Sequence, residues 1–142
     1  MNEIRFTVLG KPFGKQRPRV VHFRNGMSKA FTPTETVQYE NLVKWCYIQE
    51  AEGEKFSDDA MLGVEILAYF EPPKSASKAK RKAMLENKIR PTKKPDFDNI
   101  GKIICDSLNQ IAYHDDSAIV DSHIMKLFGE QPRVEVCIRK IE

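Results

Sequence analysis

Six aspartates, Asp96, Asp98, Asp106, Asp115, Asp116 and Asp121, crowd the stretch KPDFDNIGKIICDSLNQIAYHDDSAIVD. Carboxylates that converge repel one another unless a proton or a cation comes between them. Asp96-x-Asp98 with the later Asp115-Asp116 pair offers the hard oxygen donors that Mg²⁺ takes beside waters and a phosphate oxygen. Lys102 follows Asp98 by four residues. Such a set suits phosphodiester hydrolysis, in which one or two bound ions activate water and offset charge on the leaving oxygen. The lysine adds positive charge near the phosphate. The sequence shows no Ser or Cys nucleophile with a partner base, and no phosphate-binding glycine loop. Plainer readings stand beside this one. Asp98 can be a simple N-cap, Lys102 and Asp106 an i,i+4 surface pair worth roughly a few tenths of a kcal/mol, and HDDS a polar turn.

To present these groups the chain needs a helix from Asp98, as N-cap, to about Asn109, with Pro95 keeping the preceding chain extended. Ile100, Ile103, Ile104, Leu108 and Ile111 then form one apolar stripe, and Lys102, Asp106 and Asn109 share the other face with Asp98. The turn at QIAYHDD returns the chain so that Asp115 or Asp116 opens the next strand. Period-two alternation predicts a first strand at IRFTVLG, and Val20, Val21 and Phe23 before RNG predict a hairpin. Residues 34–53 read as a helix with Thr34 as N-cap, Gly53 as stop, and a stripe of Val37, Tyr39, Leu42, Val43, Cys46 and Tyr47. MLGVEILAYF reads as a central strand, SASKAKRKAMLENK as a basic helix, and residues 118–128 and 133–141 as closing strands. The fold class is therefore mixed α/β, a single mixed β-sheet with about three helices packed on it, in one domain over residues 1–142. Phe31, Trp45 and Tyr47 are expected in its core. Strand order does not follow from the pattern.

The net charge of +3 hides a strong segregation. Residues 10–34 hold six basic residues and no acid, and residues 74–94 hold nine against Glu86 alone. That is the footprint of a polyanion partner, nucleic acid above all, unless the two segments are merely solvated surface. Cys46, Cys105 and Cys137 lack any paired spacing and are expected to be reduced and buried. No apolar run reaches the length of a membrane span. MNEIRFTVLGK reads as a strand rather than a signal peptide, so a cytoplasmic protein is expected.

The pattern D-x-D-N-x-x-K-x-x-x-D-x-L, with a double aspartate about ten residues on, resembles the RusA family of crossover-junction endodeoxyribonucleases. It is matched at Asp96, Asp98, Asn99, Lys102, Asp106, Leu108, Asp115 and Asp116. GKPFGKQRPRV and FTPTETVQYE also resemble the family's Arg-Pro-Arg strand and Thr-Pro helix start. The resemblance implies a homodimer, common on prophages, that uses Mg²⁺ (or Mn²⁺) to nick two opposed strands of a four-way DNA junction. It maps the catalytic groups onto Asp96, Asp98, Lys102 and Asp116. The metal ligands become Asp96, Asp98 and Asp116 together with Asp115, the choice between the last two staying open. Asn99 and Asp106 then support the site, Asp106 by orienting Lys102 or else as a surface pair. Lys11, Lys15, Arg17 and Arg19 become a DNA-facing strand and loop. Lys93 and Lys94 supply the backbone contacts that an Arg makes in members where this chain has Pro95. A nuclease for flaps or single strands, and a non-catalytic DNA-binding module, remain as alternatives.

Overall fold

Alternation decides which way each strand faces. In β1 (Glu3–Leu9) Ile4, Phe6 and Val8 are buried and their neighbours exposed. The computed structural model of the chain describes residues 1–142, the side chain of Phe31 excepted. β1 is followed by a hairpin of β2 (Arg19–His22) and β3 (Ser28–Phe31), a small sheet of its own that leaves Val20, Val21, Phe23 and Met27 exposed. Then come α1 (Thr34–Ala51), β4 (Met61–Phe70), α2 (Lys78–Leu85), α3 (Phe97–Ser107), β5 (Ile119–Phe128) and β6 (Arg133–Ile141). The main sheet has the order β1-β6-β4-β5. β6 runs antiparallel to both β1 and β4, and β5 runs parallel to β4, so the sheet is mixed and β4 is central in it. The parallel pair requires a long crossover, which α2 and α3 provide.

Register puts the apolar residues of three strands on one face. Phe6 stands opposite Val136, and Val136 opposite Ile66. Val43, Tyr47 and Ala51 of α1 and Ile100, Ile103 and Ile104 of α3 join the same core, with Phe6 edge-on to Tyr47 at 5.7 Å. The other face is laced by charge pairs, Arg133 to Glu135 at 2.7 Å and Arg139 to Asp121 at 3.3 Å. Asp121 therefore belongs to the far side of the sheet from the core. Among the described residues no helix is long and apolar enough to cross a membrane.

Several local expectations are corrected. The N-cap of α1 is Pro33, and Thr34 is its first residue. Its inner face is Thr36, Val43, Tyr47 and Ala51, so Val37 and Leu42 are exposed. Trp45 is 61% exposed rather than in the core. Apolar residues surround α1, and the sheet it packs on selects one line of them. The helix closes where expected, with Glu52 left-handed (φ 54°) and Gly53 after it (φ 79°). In α2, Ser77 caps by accepting from the Lys80 N–H, and no residue is buried. Cys46 and Cys105 are half-buried and only Cys137 is buried; all three are free. The side chain of Phe31 lies outside the described residues.

Candidate active site

α3 starts two residues earlier than its sequence suggests. Asp96 is the N-cap, reached across a cis Lys94–Pro95 bond, and Asp98 lies in the first helical turn. There its charge faces the positive end of the helix dipole. The helix ends at Ser107 rather than Asn109, where the Ser107 hydroxyl donates back to the Ile103 carbonyl. Ile100, Ile103 and Ile104 are fully buried, which pins α3 to the sheet and leaves Asp98 and Lys102 exposed on its outer side.

The return loop delivers the aspartate pair with the two side chains diverging. Asp115 accepts from the Ser117 N–H at 3.0 Å and caps a short 3₁₀ turn (Asp116–Ala118). That hydrogen bonding holds its carboxyl below the usual range. Asp116 turns toward α3 instead. Its backbone N–H donates to Asn109 Oδ1 at 2.9 Å, and its carboxyl neighbours that of Asp106. Burial first, then the neighbouring Asp116 carboxyl, holds the Asp106 carboxyl above the usual range against the opposing pull of Lys15. Beneath them Tyr113 is buried and donates to the Cys105 carbonyl at 2.7 Å. Burial pushes the Cys105 thiol up to about 12, so it is a neutral group and no nucleophile near pH 7.

Asp98, Lys102 and Asp116 line one groove of about 330 Å³, with Phe97, Ile119, Ser122 and Ile124. Asp96 lines a separate hollow with Lys11, Lys94 and Asn99, and Asp115 lines neither. Lys93 and Lys94 are exposed, as are Lys11, Arg17 and Arg19. Lys15 is not: its ammonium donates to Glu40 at 3.0 Å and reaches Asp106 at 3.8 Å. Asp106 thus pairs with Lys15 and Asp116 where Lys102 was expected to be its partner. Asn99 contributes through its backbone, accepting from the Lys15 N–H at 2.9 Å. Gly14 permits that approach, since a Cβ on it would stand 2.8 Å from Pro95 Cβ. Glu40 carries no signal in the sequence because its partner, Lys15, comes from another segment, whereas Asn109 meets Asp116 only seven residues on, across the turn after α3. Phe97 carried a signal in sequence, an apolar residue set between two aspartates at a helix start.

Among the described residues no three His, Cys, Asp or Glu side chains are gathered closely enough to hold a metal ion. The groove does offer two hard carboxylates, Asp98 and Asp116, open to solvent on one side. Mg²⁺ is commonly held by one or two carboxylates, with waters and phosphate oxygens completing its shell, so the donor set fits that ion. Residues 10–139 match the family model described as Endodeoxyribonuclease RusA. The chain is also 36% identical over 143 residues, covering 99% of each chain, to the uncharacterized protein YqaN of Bacillus subtilis (strain 168).

Proposed function

The chain belongs to the RusA endodeoxyribonuclease family, and from that premise we propose that it resolves four-way DNA junctions by Mg²⁺-dependent nicking. The observation that carries this reading is the groove shared by Asp98, Lys102 and Asp116 within the matched residues. Asp98 and Asp116 would hold the ion, with Asp96 beside them on the chain. When bound, the ion would activate a water and stabilise charge on the phosphate. Lys102, which lines the same groove, would present its ammonium to the phosphate. Asn109 fixes the Asp116 backbone after α3, which would keep its carboxylate on the side of the groove it lines.

Lys11, Arg17, Arg19, Lys93 and Lys94 would track the DNA backbone on either side of the acidic groove, which would repel phosphate without its ion. Lys15 is held inside the protein by Glu40 and Asp106 and serves the site instead of the DNA. A homodimer follows from the substrate's symmetry. A two-fold junction presents two equivalent phosphates, and one groove per subunit can reach each.

The test is cleavage of a synthetic four-way junction beside a duplex and a flap, with and without Mg²⁺. Wild type should nick the junction symmetrically and only with metal. Asp98→Asn should lose cleavage while binding is kept or tightened, because a carboxylate facing the DNA is removed. Equal cutting of the flap would replace this reading with a broader nuclease. Wild-type cleavage by Asp98→Asn would reduce the aspartates to caps and turns.

A further inference from the structure

Phe97 sits between the two aspartates that open α3, and its side chain is 61% exposed. The fold does not need it there: the core contribution of α3 comes from Ile100, Ile103 and Ile104, all fully buried. Its ring lines the groove of Asp98, Lys102 and Asp116 together with Ile119 and Ile124. Gly101 brings Ile124 in tightly, since a Cβ on it would come within 2.6 Å of Ile124 Cδ1. One side of the groove is therefore apolar next to carboxylates and a lysine. A phosphodiester uses the charged groups and has no use for a phenyl ring. The part of DNA that matches an aromatic face is a nucleobase. In a continuous duplex each base face is already covered by its neighbours, so a ring at phosphate level finds no partner. A base that has left the stack, as at a branch point, offers one.

We propose that Phe97 is a specificity-determining residue that stacks on an unstacked base next to the scissile phosphate. It thereby favours branched DNA over intact duplex. This deepens the nuclease reading above and rests on it.

The experiment compares wild type with Phe97→Ala, Phe97→Leu and Phe97→Trp on two junctions, one fully paired and one with a mismatch beside the cut. The exposed position tolerates all three substitutions, and Leu keeps the apolar character without the planar face. Ala and Leu should lower kcat/KM on the paired junction by about one to two orders of magnitude, as expected for one lost base–aromatic stack. Trp should restore it, and the mismatch should return most of the loss. In metal-free buffer, the emission of 2-aminopurine at the branch should change on binding wild type and not on binding Phe97→Ala. Equal losses on both junctions, or no loss, would overturn the proposal. So would a changed oligomeric state of Phe97→Ala by sedimentation, which would assign the ring to a subunit interface. A wild type that cuts no branched DNA overturns the nuclease reading itself, a result distinct from variants that match an active wild type.

Discussion

Replacing Lys15 by Met should destabilise the protein, although Lys15 lies in a loop of basic residues that otherwise face outward. Its ammonium is 3.0 Å from Glu40 and 3.8 Å from Asp106, and the side chains of the Lys15–Glu40 pair are 30% and 18% exposed. Fully exposed pairs contribute about 0.2–1 kcal/mol. Stranding one member of a buried pair costs about 3–5 kcal/mol. Partial exposure puts Lys15→Met between these, at about 1.5–3 kcal/mol. Methionine retains the apolar stem, so the loss reports the charge rather than the packing. Urea unfolding at neutral pH measures it, with an unchanged m-value showing that the two-state comparison holds. Adding Glu40→Gln to Lys15→Met removes the stranded carboxylate and should recover a large part of the loss. The cycle should show a coupling above about 0.5 kcal/mol. A loss below about 0.5 kcal/mol with no coupling would refute this reasoning. If the salt slope of DNA binding then fell by about one, the ammonium would be a phosphate contact instead.

Two further variants probe how the site is braced. Gly14→Ala places a methyl 2.8 Å from Pro95 Cβ and 3.2 Å from Asn99 Cβ, neither of which is a flexible chain end. It should cost about 1–3 kcal/mol in urea unfolding and slow cleavage by displacing the start of α3, and an unshifted midpoint would count against the close approach. Asp106→Asn concerns pH. Because the folded state holds the Asp106 carboxyl above its ordinary range, folded protein binds more protons than unfolded through that window. Stability then falls as pH rises through the ordinary carboxylate range and on to the raised value. Asparagine cannot ionise, so in metal-free buffer the variant should lose this fall and gain on wild type as pH increases. Parallel pH profiles for the two proteins would sink the assignment.

Much of the fold was legible because its signals are local. Ile4, Phe6 and Val8 alternate with polar neighbours, and the run at 61–70 carries almost no charge, so β1 and the central β4 could be read directly. The stripe of Ile100, Ile103, Ile104 and Leu108 likewise announced α3 and the face it buries. Errors arose where two local solutions were nearly equal. Asp96 and Asp98 are both acceptable caps, and Pro33 and Thr34 both suit a helix start. In α1 apolar residues fall on every side, so periodicity could not reject Val37 and Leu42 or keep Trp45 out of the core.

The sequence by itself determined the chemistry on offer: spaced carboxylates with a lysine, flanked by basic segments, in a pattern resembling one nuclease family. Spacing along one helix also sufficed to put Asp98 and Lys102 on the same outer face, since a helix converts separation in sequence into direction in space. Only the tertiary structure decided which of Asp115 and Asp116 turns toward α3, because that depends on how the turn after α3 folds back so that the Asn109 side-chain amide oxygen accepts from the Asp116 N–H. It also decided that Lys15 points inward to Glu40 and Asp106, a choice made by desolvation between three segments and carried by no local pattern.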